Sequence, residues 1–379
     1  MRKGTQLIHN GHETDGVTGA LGVPVVQTST FAQKDVSLSQ EYDYARSGNP
    51  TRKALEETIA VLEGGARGYA FGSGIAAVSS VLGIFAAGDH IVAAEDIYGG
   101  SYRILNTFYK RWGLEVTGVD SSDPENIRKA VKGNTRAVFL ETPSNPLLKI
   151  CDLRACIGIA KEAGLTVIVD NTFMTPYLQR PLELGADIVV HSATKFLGGH
   201  SDVVSGLAVT ATEGLGKKVY AVQNGFGAVP GPWDAWLVLR GIKTLKVRME
   251  AQEQSAHKLS RSLAENKNVD QVYYPGLPGH RGKEIHDAQS SGAGAVFSFR
   301  TKTREQALAF LRRVTYAAAA VSLGGVETIA SYPVKMSHAA IPPSERERLG
   351  ITDTLIRISC GLEDSDDLVE DFERALEDD

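Results

Sequence analysis

Cysteine is scarce. The chain has three cysteines in 379 residues, Cys151, Cys156 and Cys360. They are an odd number with no Cys-x-x-Cys spacing, which gives no zinc framework and suits a reducing, cytoplasmic setting. No apolar run approaches the roughly 20 residues of a membrane span. Residues 1–10 lack the apolar segment of an export signal. A basic excess is missing too: 40 Lys and Arg stand against 45 Asp and Glu, a formal net charge of −5. The cations are scattered, which speaks against a nucleic-acid footprint. Lys243, Lys246 and Arg248 read as one polar helix face. There is no internal repeat and no low-complexity tract, since the alanines at 317–320 are too few to count. His191 and His200 have no companions that would complete a metal set, and both read as structural.

What is present begins with an apolar strand, Ile188-Val189-Val190, that runs into His191-Ser192-Ala193-Thr194-Lys195-Phe196-Leu197-Gly198-Gly199. It delivers one amine to the rim of a sheet beside two hydroxyls. A lysine in a cleft loses hydration, and near other positive charge it loses basicity, so more of it is the free amine that attacks a carbonyl. That is the setting of a Schiff-base lysine. Twenty-five residues upstream Thr166-Val167-Ile168-Val169-Asp170 is an apolar strand ending on a carboxylate. Parallel strands would bring Asp170 and Lys195 to the same edge, where open α/β sheets bind ligands. An acid there can keep a pyridine nitrogen protonated, which makes pyridoxal phosphate an electron sink.

Tyr69 to Val78 reads as strand, glycine turn and helix start, a phosphate-binding arrangement. Gly72-x-Gly74-x-x-Ala77 also fits a loose dinucleotide fingerprint, with Glu95 and Asp96 as ribose ligands about 20 residues on. A nicotinamide-dependent oxidoreductase is therefore a second class of reading, although it leaves the Asp170 and Lys195 pair unused.

Along the chain, residues 1–48 read as an irregular polar arm lying on another subunit. Asn49 then caps a helix with Pro50 at its first position, an apolar stripe of Leu55, Ile59 and Leu62, and an end at Gly64-Gly65. A strand over 137–141, a helix over 152–163 and a strand over 165–170 form a βαβ unit, predicting a mostly parallel sheet over 49–230 with helices on both faces. Near 225–232 Gly, Ala and Pro cluster. Beyond them Trp236, Leu239, Ile242, Leu245 and Met249 step at helical spacing, predicting one long connecting helix into a smaller α/β domain over 231–379. That domain should hold strands at 269–274, 295–300 and 355–359 and helices at 304–313 and 366–376.

Eight segments together resemble the Cys/Met-metabolism group of pyridoxal phosphate enzymes: Tyr44 to Arg52, Gly72 to Ala77, Tyr98 to Arg103, Glu141 to Pro146, Val169 to Phe173, Ser192 to Lys195, Ser322 to Gly325 and Leu355 to Ser359. The resemblance spans nearly the whole chain. It implies the type I, aspartate aminotransferase-like fold, pyridoxal 5'-phosphate as cofactor, and a homotetramer whose subunits share active sites. In family terms Lys195 anchors the cofactor and acts as base, and Tyr98 stacks on its ring. Asp170 meets the ring nitrogen. Gly74, Ile75, Ser192 and Thr194 form the phosphate cup, and Tyr44 and Arg46 reach the neighbouring subunit's phosphate. Arg357 grips the substrate α-carboxylate, with Asn145 and Ser322 supporting it.

The residue before Ser322-Leu323-Gly324-Gly325 is commonly Glu in the family's γ-lyases and γ-synthases; here it is Val321. That favours β-elimination of L-cystathionine to L-homocysteine, pyruvate and ammonia, a carbon–sulfur lyase step of methionine and cysteine metabolism. A γ-lyase, a γ-synthase or an O-acetylhomoserine thiolyase is the alternative within the family.

Overall fold

The computed structural model describes residues 1–9 and 15–377. The cap at Asn49 forms as the sequence predicts: its side chain accepts from the amides of Thr51 and Arg52, and the Pro50–Glu63 helix ends at Gly64 in the left-handed conformation. Such a cap contributes about 1 kcal/mol. Leu55, Ile59 and Leu62 are all completely buried, and each contributes about 1.5–3 kcal/mol. Packing of the stripe, more than the cap, therefore holds the helix.

Seven strands form the larger sheet: β1 (Arg67–Phe71), β2 (His90–Ala94), β3 (Glu115–Val119), β4 (Thr135–Glu141), β5 (Thr166–Asp170), β6 (Ile188–Ser192) and β7 (Gly206–Thr210), in spatial order β1-β7-β6-β5-β4-β2-β3. β4, β5 and β6 pair in parallel, and β7 runs antiparallel to both β6 and β1. β1 and β6 thus point the same way, and Phe71 and Ser192 both stand opposite Gly206. The predicted βαβ unit closes through the Leu153–Glu162 helix, capped by Asp152. Its two strands set Glu141 directly opposite Asp170. The C-terminal edge of this sheet gathers Ser73, Glu141, Asp170 and Ser192 on four chain segments.

The smaller sheet joins β8 (Val269–Tyr273), β9 (Val296–Thr301), β10 (Ala318–Ala319), β11 (Ile329–Ser331) and β12 (Leu355–Ser359), in spatial order β10-β11-β12-β9-β8. Phe297, Phe299, Phe310, Ile356, Ile358 and Phe372 form its buried core against the helices. β12 carries Arg357 toward the larger sheet.

Three local expectations are corrected. The single connecting helix is two, Pro232–Ile242 and Leu245–Glu265. The break falls at Lys243-Thr244, where the Thr244 amide bonds Gly241 O at 3.1 Å. Arg248, expected on a polar face, points inward instead. Its guanidinium donates to Gly241 O and Phe196 O, both at 2.7 Å, and to Thr244 Oγ1 at 3.0 Å. Burial pushes Arg248 down to about 10. Three satisfied donors make that burial tolerable, and they tie the helix break to the residue after Lys195. The arm is not wholly irregular either. Lys3–His9 is a helix with Leu7 buried in the main core, Lys3 Nζ donating to Tyr177 O at 2.9 Å and Gln6 Oε1 accepting from Arg180 at 3.0 Å. Its start therefore packs on its own chain, while residues 10–14 of that arm lie outside the described residues. Among the described residues no helix is long and apolar enough to cross a membrane and no His, Cys, Asp or Glu cluster could hold a metal.

Candidate active site

A cavity of about 650 Å³ opens at the C-terminal edge of the larger sheet, lined by Tyr98, Asp170, Ser192, Lys195 and Arg357 among others. Gly74, Ile75, Asn145, Thr194, Val321 and Ser322 line it too. Residues spread from 74 to 357 are brought to one place because the sheet edge collects the strand ends and β12 faces it from the other sheet.

Lys195 is in the turn after β6, and its Nζ donates to Ser322 Oγ at 2.6 Å. Burial, and then the positive charge of Arg357, lower its pKa to about 8. Ser322 holds this contact from a left-handed backbone, φ 84°, which costs of order 1–3 kcal/mol for a non-glycine residue. Two residues on, Gly324 lies so close that a Cβ would stand 2.6 Å from the Phe196 amide nitrogen. Only glycine lets the 322–325 segment rest on the lysine turn.

Asp170 Oδ1 accepts from the Thr172 amide at 3.0 Å and from Thr172 Oγ1 at 2.6 Å. That leaves Oδ2 for a further donor from the cavity. Thr172 Oγ1 in turn accepts from the Ser192 amide at 2.9 Å, which locks the two strand ends together. Burial raises the Asp170 carboxyl, opposed by those Thr172 bonds. Glu141 beside it is raised well above the usual range, by burial and then by Asp170, and its Oε2 accepts from the Tyr98 amide at 2.8 Å.

Arg357 is completely buried. Nη1 donates to Asn145 Oδ1 at 2.9 Å, and Nη2 to Ser322 O at 2.6 Å and Ser331 Oγ at 3.1 Å. Nε has no partner, and among the described residues no carboxylate lies within ion-pair distance of it. Burial lowers it to about 10. A buried guanidinium held by neutral acceptors, with a donor to spare, is arranged for an anion that arrives from solution. At the other end of the cavity the Gly74–Leu82 helix, capped by Ser73, begins. Its first-turn amides at Gly74 and Ile75 have no intrahelical acceptors, and they face anions favourably. A Cβ on Gly74 would stand 2.6 Å from Ser192 Cβ, so glycine is what brings the amides and the Ser192 hydroxyl side by side.

These residues fit a pyridoxal phosphate. The cavity brings together hydroxyl and amide donors suited to a phosphate, a carboxylate with a free oxygen, a depressed amine, and a buried guanidinium with one spare donor and no carboxylate partner. The dinucleotide reading does not fit, because β1 and β2 are separated by four strands in the sheet. Asp96 is spent on Ser144 and Glu95 on Arg348, far from the Gly72 turn. Tyr44 and Arg46 are not brought into the cavity of their own chain. Tyr44 is 47% exposed, and Arg46 is 5.7 Å from its ring, donating to Asn224 O and Oδ1 at 2.6 and 2.8 Å. Sequence reasoning passed over Thr172, Glu141 and Ser331. Glu141 had a signal, an apolar strand ending on a carboxylate like that of Asp170; Ser331 had none.

Comparison with known proteins agrees with this geometry. The profile of the Cys/Met metabolism PLP-dependent enzyme family matches residues 4–377. A cystathionine beta-lyase of Bacillus subtilis is 54% identical, over 98% of this chain and 95% of that one. A cystathionine gamma-lyase of the same organism is 51% identical over the full length of both. The crystal structure of a cystathionine gamma-lyase from Lactobacillus plantarum complexed with L-serine superposes with a TM-score of 0.97, at 44% identity, covering 99% of this chain and 98% of that one.

Proposed function

The chain belongs to the Cys/Met metabolism PLP-dependent enzyme family, and from that premise we propose that it is a cystathionine β-lyase, cleaving L-cystathionine to L-homocysteine, pyruvate and ammonia. The observation that carries the reading is one cavity holding a depressed amine, a buried guanidinium with a spare donor and no carboxylate partner, and the apolar Val321. The bound cofactor supplies an electron sink conjugated to the substrate Cα. Arg357, steadied by Asn145, Ser331 and the Ser322 carbonyl, takes the α-carboxylate and fixes which Cα bond faces that sink. Lys195 Nζ, free in a substantial fraction near neutral pH, accepts the Cα proton. Asp170 Oδ2 would accept the ring N–H, with Oδ1 already occupied by Thr172. Tyr98 would cover the ring, and Gly74, Ile75, Ser192 and Thr194 would hold the phosphate. With Cα deprotonated, a thiolate departs from Cβ and is protonated as homocysteine, and water hydrolyses the remaining enamine to pyruvate and ammonia.

Val321 lines the cavity and is 63% exposed, so it is open to the distal part of a substrate. Elimination at Cγ requires a second proton to leave Cβ and a further intermediate, whereas β-elimination needs only the Cα step, and the apolar Val321 brings no charge to the distal part of the substrate. With cystathionine the expected main keto acid is pyruvate, and Val321→Glu should move products toward 2-oxobutyrate and cysteine. Mainly 2-oxobutyrate from the unaltered enzyme would select the γ-lyase reading instead, which the gamma-lyase relatives keep in play.

We also read the chain as an arm over 1–48, a cofactor-binding domain over 49–230 and a C-terminal domain over 231–379. It works in the cytoplasm as a homotetramer in which Tyr44 and Arg46 serve a neighbour's phosphate. The exposure of Tyr44 and Arg46, outside their own chain's cavity, is what supports the shared site. In an equal mixture of Arg46→Ala and Lys195→Ala subunits, half of the dimeric units are mixed and one of their two sites is intact. About a quarter of full activity should therefore return. Activity no greater than the sum of the two separate variants, after verified subunit exchange, would count against shared sites.

A further inference from the structure

The Pro50–Glu63 helix ends on a carboxylate, at the end where its field favours cations, and Glu63 is completely buried. A charge so placed destabilises the fold unless it is compensated. Glu63 Oε1 accepts from His191 Nε2 at 2.7 Å and from Asn171 Nδ2 at 2.8 Å. Gln179 Nε2 extends the set, donating to Asn171 Oδ1 at 3.0 Å and to Thr142 O at 3.2 Å. Three residues of the set, His191, Asn171 and Thr142, are chain neighbours of cavity residues. His191 precedes Ser192, Asn171 follows Asp170, and Thr142 follows Glu141. Successive strand side chains face opposite ways, so the network joins the ends of β4, β5 and β6 from behind the cavity.

Nothing in the packing alone requires this. The neighbours of Glu63 on its helix are apolar, and apolar replacements of buried ion pairs are often neutral or stabilising. Glu63 Oε2 and His191 Nδ1 even lack partners. The charges around the set are few: His191 on β6 also acts on Asp170, Glu141 faces Asp170 across the strands, and Lys3 reaches Glu63 from the Lys3–His9 helix.

We propose that Glu63 is a positioning residue for the cofactor. Through Asn171 and His191 it fixes the spacing between Asp170, at the ring-nitrogen end, and the Ser192 to Lys195 turn, at the phosphate and amine end. The inference rests on the pyridoxal phosphate assignment above. Glu63→Gln keeps the volume but cannot accept from both donors with the same charge, and His191→Asn removes the ring. After removal of cofactor, each variant is titrated with pyridoxal phosphate by its visible band, and the cofactor-free protein is melted. The expected result is a dissociation constant at least tenfold higher in both variants and a shifted pH midpoint of the band. Cofactor-free melting should stay within a few degrees of the unaltered protein. Because both changes break one network, the double variant should be no weaker than the weaker single. Unchanged affinity and midpoint, or parallel losses of stability with and without cofactor, would make Glu63 merely structural and overturn the proposal. Should one variant fail to fold, the other carries the same comparison. A band in the unaltered protein with unchanged variants sinks this inference alone; no band at all sinks it together with the cofactor assignment.

Discussion

Replacing Lys195 by Ala is expected to lower turnover by roughly three to six orders of magnitude, since in the proposed mechanism the covalent anchor and the base are one group. Lys195→Arg should not rescue it, because a guanidinium stays protonated. Borohydride reduction of the unaltered protein should add the cofactor mass to the peptide containing Thr194-Lys195-Phe196, and the variant should gain none. A pH dependence goes with this. With Lys195 lowered to about 8, roughly a quarter of it is free amine at pH 7.5, against about 0.1% for an ordinary lysine near 10.4. The amine is charged and unreactive below the midpoint, so the rate at which cofactor-free protein captures pyridoxal phosphate should rise with pH and level off above about 8. For stability the sign is the same. The unfolded chain holds this proton up to about 10.4, the folded one only to about 8, so the cofactor-free protein gains stability between those values. A capture rate still climbing through pH 10 would contradict the depressed amine.

How much of this was legible in the sequence depended on the range of the interaction. The Asn49 cap, the Leu55, Ile59 and Leu62 stripe and the βαβ unit ending at Asp170 follow from periodicity and capping chemistry, which act within a few residues. The pairing of Asp170 with Lys195 at one edge was legible because parallel strands leave few other arrangements. The helix break at Lys243-Thr244 was not, because the apolar stripe continues through it. The break is spanned by Arg248 turning inward to Gly241 and Phe196, a tertiary contact with no local signature. The same holds for Ser331, whose hydroxyl matters only because β11 lies beside β12. Arg357 was readable in part, since an arginine in the apolar strand Leu355–Ser359 calls for an anion. The dinucleotide alternative was refuted by strand order alone, which composition and spacing do not carry.

Removing that arginine should separate substrate binding from cofactor binding. Arg357→Leu is expected to cost about 2–5 kcal/mol of the interaction with the α-carboxylate, which is a loss between about 30-fold and several thousand-fold in kcat/KM at 1.36 kcal/mol per decade. Most of it should fall on KM, with pyridoxal phosphate affinity unchanged at a pH above the capture midpoint, because Arg357 is not among the residues proposed to hold the ring and phosphate. Arg357→Lys should recover little: an ammonium cannot present the two-pronged edge that Asn145, Ser322 and Ser331 hold in place. The decisive control is a substrate analogue whose α-carboxylate is replaced by hydrogen. The unaltered enzyme should reject it strongly and Arg357→Leu should not distinguish it, so equal losses on both substrates would refute the carboxylate role. The charge also acts on Lys195, whose pKa it lowers after burial has done so. Its removal should therefore move the pH midpoint for cofactor capture upward from about 8. A shifted midpoint without a loss of carboxylate discrimination would leave Arg357 as an electrostatic neighbour of the lysine and no more.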